Sequence, residues 1–111
     1  MSPLALNDCI QACQACADAC DRCAAACLAE HDLKMMAKCI ALDMDCADLC
    51  RLAAAMMARQ SQFLHAVCEM CAVVCKACAQ ECAQHKAAHC QACAEACTRC
   101  AHACERMSQP L

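Results

Sequence analysis

Nineteen of the 111 residues are cysteines, and they are not scattered. Cys9, Cys13, Cys16, Cys20, Cys23 and Cys27 advance by alternating steps of four and three residues, a 3.5-residue period that draws one stripe down one side of a helix. The same stepping returns at Cys68, Cys71, Cys75, Cys78 and Cys82, and again at Cys90, Cys93, Cys97, Cys100 and Cys104. A sparser stripe holds Cys39, Cys46 and Cys50, and its rhythm places Met36, Asp43, Ala53 and Met57 on the same line. Rows of sulfur in register are a ligand set for soft metal ions, because thiolate is the donor that selects Cu(I), zinc and iron–sulfur clusters.

Cysteine is also a small apolar core residue, but a core that needed only volume would use Leu, Ile and Val rather than thiols in register. Disulfides between helix positions i and i+4 fail on distance, since those Cβ atoms lie about 5–6 Å apart and a disulfide needs roughly 3.5–4.5 Å. A metal between the two sulfurs fits better: two bonds near the zinc–sulfur length of about 2.3 Å span roughly 4.5 Å when nearly linear. Cu(I) accepts such low coordination, whereas zinc sites use four tetrahedral ligands, usually on knuckles of CxxC type. The ferredoxin cysteine run and the haem-attachment motif are both missing from the sequence.

Charge points the same way. A tube of bare thiolates would not survive at low dielectric, while neutral thiols would. Each Cu(I) brings +1 and each thiolate −1, so loading by about one ion per sulfur leaves the core near neutral. Multiple Cu(I) ions are the expected cargo, held by a bundle that is folded before the metal arrives, unlike a zinc finger. A zinc or cadmium buffer is the nearest alternative, because thiolates bind all three ions. A thiol oxidoreductase is more remote, since its CxxC works at a helix N-terminus beside a βαβ unit and none is expected here. A catalytic copper site would have few ligands and an open position, so no enzymatic activity is expected.

The elements that must carry these stripes are helices. The sequence has no Gly, only Pro3 and Pro110 as prolines, and Phe63 as its single aromatic, so strands and tight turns lack their preferred residues. Strong helix formers dominate the remainder. Ser2, Asp32 and Ser61 are expected caps, with Pro3 in the first turn. If a third helix ran on past Cys82, its stripe would reach His85, His89, Ala92 and Ala96, yet cysteines reappear one residue out of phase at Cys90, Cys93 and Cys97. A turn near residues 84–88 removes the conflict. The expectation is an all-α, up-down-up-down four-helix bundle in a single domain over 1–111, with helices at about 3–29, 33–58, 62–84 and 87–107 and a hollow, cysteine-lined core.

In that arrangement Cys27, Cys39, Cys82 and Cys90 come level at a mouth beside the loops, and Cys9, Cys50, Cys68 and Cys104 come level toward the other end. Leu6, Met57, Leu64 and Met107 should close that end as an apolar plug. The thiol-lined tube between Cys9 and Cys27 is about 27 Å long at the helical rise. His102 and Met44 are read as surface residues, while His65, beside Leu64, has no assigned role.

The net charge of −3 and the want of a basic patch with interleaved aromatics give no support to a nucleic-acid surface, and no membrane association is expected. The first eight residues carry no Lys or Arg before an apolar run, as a secretory signal would require, so the chain is expected in the cytosol. That compartment keeps thiols reduced, and an odd cysteine count disfavours a disulfide framework.

With its C-x3-C and C-x2-C stepping repeated on several helices across essentially the whole chain, the sequence resembles the copper storage proteins, small cysteine-rich four-helix bundles, and among them the cytosolic branch. The resemblance implies thiolate-bridged copper clusters, a homotetramer, and a role in cytosolic copper storage or detoxification, with a cytosolic copper donor or acceptor as partner. It also implies that His and Asp side chains at the open end bind outer copper ions, and Asp43, His85 and His89 match those positions. Met36 is assigned to copper entry, with His31 and Met35 nearby.

Overall fold

Ser2 accepts a hydrogen bond from the Ala5 amide at 3.1 Å and Pro3 opens the first helix, α1, Pro3–Cys27. Asp32 does the same for the Met35 amide at 3.2 Å and starts α2, Leu33–Ala58. Two further helices follow, α3, Leu64–Ala83, and α4, Ala88–Ser108. The computed structural model describes residues 2–109, and Pro110 lies outside them. Each helix packs on its two neighbours in the ring α1, α2, α3, α4, and the diagonal pairs meet only through side chains that reach across the core. The result is a rod of 46 × 17 × 17 Å. No helix among the described residues is long and apolar enough to cross a membrane.

The bundle closes because its inward stripes are narrow. Cysteine alternates with Ala17, Ala47, Ala72, Ala94 and Ala101 on the buried faces, and small side chains let helix axes approach closely. Arg51 reaches Asp21 at 2.7 Å and Asp18 at 3.4 Å between α2 and α1, and Lys76 reaches Glu105 at 2.6 Å between α3 and α4. These exposed pairs orient the surfaces and add little stability.

Ser61 is not the cap of α3. Its hydroxyl accepts from the Phe63 amide at 3.0 Å, its carbonyl accepts from Leu64 at 3.1 Å, and the helix begins two residues later than expected. The cause is the way α2 ends. Gln60 adopts φ 49°, its amide returns to the Met57 carbonyl at 3.1 Å, and the Ser61 amide returns to the Met56 carbonyl at 2.9 Å. This pair of bonds is the Schellman stop, with glutamine in the left-handed position that glycine usually takes. The left-handed conformation costs a residue with a Cβ about 1–2 kcal/mol. Gln60→Gly is therefore expected to stabilise the protein by about 1 kcal/mol and raise its melting temperature by a few degrees. Thermal melting followed by circular dichroism checks this, and an unchanged or lower midpoint would show that the Gln60 side chain contributes what the backbone does not.

Candidate metal centre

All nineteen cysteines are buried free thiols. The four stripes meet across the axis, and the sulfurs touch: Cys39 to Cys82 is 3.4 Å, Cys16 to Cys97 3.5 Å, Cys46 to Cys75 3.6 Å and Cys13 to Cys104 3.6 Å. The hollow bore expected from the sequence is thus filled by the sulfurs themselves. Along the axis the thiols form sets of four whose ligand atoms all lie within 4.8 Å of one another. Cys13, Cys71, Cys100 and Cys104 make one, and Cys16, Cys46, Cys50 and Cys75 the next. Cys16, Cys20, Cys46 and Cys97 overlap that set, Cys20, Cys78, Cys93 and Cys97 overlap in turn, and Cys23, Cys27, Cys39 and Cys90 lie at the mouth. Cys16, Cys20, Cys46 and Cys97 each belong to at least two sets, so the middle of the core is continuous rather than a row of isolated sites.

One level differs from expectation. Cys50 is not beside Cys9 and Cys68 but one turn further in, at 3.7 Å from Cys71 and Cys75 and 3.8 Å from Cys100. Cys9 meets Cys104 at 3.9 Å, and burial with those same two neighbours raises the Cys68 thiol, Cys104 and Cys9 contributing most. At that level α2 offers the buried Ala53 and Met57 instead. Met57, Leu64 and Met107 are buried and Leu6 half-buried, so the end is closed by apolar groups as expected. His65 has a structural place there: its Nδ1 lies 2.7 Å from the Met107 carbonyl and ties the start of α3 to the end of α4.

Asp43 is deeper than a mouth residue. It is fully buried, and one carboxyl oxygen accepts from Cys78 and Cys93 at 3.2 Å and from Cys82 at 3.4 Å, while Cys39 lies 3.9 Å from the other. Its side chain fills a sulfur position in the α2 rhythm. Burial pushes its pKa up to about 9, and nearby thiols contribute to the shift. Burial likewise raises the Cys39 thiol, and that of Cys90 to about 11. Burial at low dielectric disfavours the charged form, so Asp43, Cys39 and Cys90 hold their protons at neutral pH in the metal-free protein.

The two histidines at the mouth are held differently. His89 turns Nδ1 toward the sulfurs of Cys90, Cys23 and Cys27 at 3.5, 3.6 and 3.9 Å, with Nε2 2.9 Å from Glu30. His85 has Nε2 2.7 Å from Glu81 and no thiol within hydrogen-bonding distance among the described residues. It lines, with Glu30, Met35, Met36, Gln84, Lys86 and Ala87, a cleft of ≈ 470 Å³. Met36 is buried, while His31, His102 and Met44 are exposed. Sequence reasoning missed Glu30 and Glu81. Glu81 was findable, four residues before His85 in the sequence, in the last turn of α3; Glu30 lies 59 residues from His89 and leaves no local signal.

A four-helix bundle whose interior is a ladder of overlapping four-thiol sets belongs to the class of poly-thiol metal-binding bundles. More particularly, this chain belongs to the copper storage protein family, whose profile matches residues 3–109. It is similar to the Cu(I)-bound copper storage protein BsCsp3, with 43% identity, a TM-score of 0.91, and coverage of 95% of this chain and 99% of that one. It is also similar to a cytosolic copper storage protein from Streptomyces lividans carrying five coppers, with 44% identity, a TM-score of 0.92, and coverage of 96% and 94%. An uncharacterized cysteine-rich protein of Bacillus subtilis, YhjQ, is 45% identical over 64 residues, 58% of this chain; the match spans 59% of that relative's length.

Proposed function

We propose that the chain, acting as one domain, stores multiple Cu(I) ions in the cytosol and thereby buffers or detoxifies copper. The observation that carries this reading is the run of four-thiol sets along the core, overlapping in its middle and joined to the outer sets by sulfur contacts, which gives an incoming soft ion neighbouring sites along the axis. All nineteen cysteines are the proposed ligands, with Asp43 among them and His89, His85 and Met36 toward the mouth. A homotetramer and a cytosolic copper donor or acceptor are part of the same proposal.

The chemistry follows from the distances. Two sulfurs now 3.4–3.9 Å apart must part to roughly 4.5 Å to hold a metal between them, a change within reach of side-chain rotation. Each thiol that becomes a ligand loses its proton, so protons compete with copper and retention weakens as pH falls. Entry at the loop end is favoured because His89 faces sulfur there, whereas Met57, Leu64 and Met107 exclude water at the opposite end. Every thiol is buried, out of reach of a partner's disulfide, and this disfavours the oxidoreductase reading.

The test is titration of the reduced apo protein with Cu(I) against a chromogenic Cu(I) chelator, with zinc and cadmium as competitors. The expected result is uptake of many equivalents, release of about one proton per thiolate formed, an unchanged helical circular dichroism spectrum, and no displacement by equimolar zinc or cadmium. Saturation below about four ions, or displacement by zinc into a tetrahedral four-thiol set, would instead make the protein a buffer of the other soft metals.

A further inference from the structure

Glu30 sits outside every cysteine stripe, in the segment between α1 and α2, yet it is tied to the metal-binding core from two sides. Its amide donates to the carbonyl of Cys27 at 3.1 Å, and its carboxylate lies 2.9 Å from Nε2 of His89. That imidazole presents its other nitrogen to Cys90, Cys23 and Cys27. A carboxylate accepting one ring N–H fixes both the tautomer and the plane of an imidazole, leaving the opposite nitrogen with a lone pair for a metal. The side chains of Glu30 and His89 are 39% and 23% exposed, so an unrestrained ring would be free to turn outward into solvent.

We propose that Glu30 is a positioning residue for copper capture: it holds His89 with Nδ1 aimed at the mouth thiols, so that an arriving Cu(I) meets one imidazole and a sulfur together. The inference rests on the storage reading above. His85 makes the contrast. Its Nε2 is taken by Glu81, whose other oxygen lies 3.9 Å from Lys38, and that pairing joins it to α3 and α2 rather than to the thiols. Among the described residues, only the Glu30 pairing orients an imidazole onto sulfur. Glu30 makes no bond to the ion itself, and its effect travels through His89.

The experiment uses the full chain as wild type, Glu30→Ala, Glu30→Gln, His89→Ala and the Glu30→Ala/His89→Ala double variant. Nitrogen-15 NMR of the apo protein in mildly alkaline buffer, where free imidazole is neutral, should show the His89 Nε2–H as a downfield resonance protected from solvent exchange. That signal should persist in Glu30→Gln, whose amide oxygen still accepts, and vanish in Glu30→Ala. Stopped-flow uptake of Cu(I) from a weak chelator should slow at least tenfold in Glu30→Ala, with most of the rate restored in Glu30→Gln and total capacity nearly unchanged. In the His89→Ala background Glu30→Ala should have no further effect. An equal slowing with and without His89 would overturn the inference by giving Glu30 a role of its own, as would an unprotected Nε2–H in the wild type. A wild-type protein that takes up no Cu(I) would overturn the storage reading as well, whereas normal capacity with unaltered Glu30→Ala kinetics would overturn this inference alone.

Discussion

Replacing Cys13, Cys20, Cys75 and Cys97 together by alanine will lower the Cu(I) capacity by about four ions, at about one ion per sulfur, while the bundle stays folded. These positions touch the Cys13, Cys71, Cys100, Cys104 set and each of the three overlapping sets next to it, and leave Cys23, Cys27, Cys39 and Cys90 intact. Cys97 belongs to at least two sets, as does Cys20, so their loss removes sulfurs shared between sets. Each truncation deletes one buried sulfur and should cost about 1 kcal/mol, at the low end for removal of a single heavy atom from a core. Capacity is read by titration against the chelator and folding by circular dichroism and thermal melting. A fall to zero capacity in a folded variant would mean one all-or-none cluster in place of a distributed store.

The stability of the metal-free protein will fall as pH rises from 5 to 7.5, and Asp43→Asn will flatten that fall. In the unfolded chain the Asp43 carboxyl ionises near its ordinary value of 3.8, whereas in the fold burial raises it to about 9. Between those values the folded state holds a proton that the unfolded state has released, so each rise of one pH unit removes up to about 1.4 kcal/mol of stability. Over the stated range the change amounts to up to about 3 kcal/mol by the same conversion. Below the unfolded value both states are protonated and the effect is fully absent. Asparagine keeps an oxygen to accept from Cys78, Cys82 and Cys93 and is neutral throughout, so the variant should be the more stable protein at pH 7.5. The range stops short of the ordinary thiol value, where the cysteines would begin to contribute. Denaturant melts of both proteins across the range provide the measurement, and parallel pH profiles would place the titrating group elsewhere.

Much of the architecture could be read from the sequence because helical periodicity is a strong signal. Alternating steps of four and three put the cysteines on one side of each helix, and every one is buried. The phase slip between Cys82 and Cys90 located the last turn, and Ser2 and Asp32 cap as their types suggest. Ser61 does not, because the left-handed Gln60 takes the chain out of α2 at an angle that needs two more residues before α3 can start.

Periodicity fixes how a helix is rotated about its own axis and is silent on how far it slides along it. That translation is set by the connecting segments and by side-chain packing across the bundle, and these decided what the stripes alone did not. Cys39 lies level with Cys27 and Cys90 as expected, but Cys50, only eleven residues further along α2, meets Cys71 and Cys100 rather than Cys9 and Cys68, and Ala53 lies toward the closed end with the expected Met57. Asp43 lies among thiols rather than at the rim, and this is the source of its raised pKa. The contact between Glu30 and His89 joins the segment between α1 and α2 to the first turn of α4, a juxtaposition that no spacing along a single helix encodes. The sequence by itself thus determined which residues face the interior and the chemistry they share, while only the tertiary structure decided which sulfurs meet, how deep the carboxyl lies and which imidazole is turned toward the thiols.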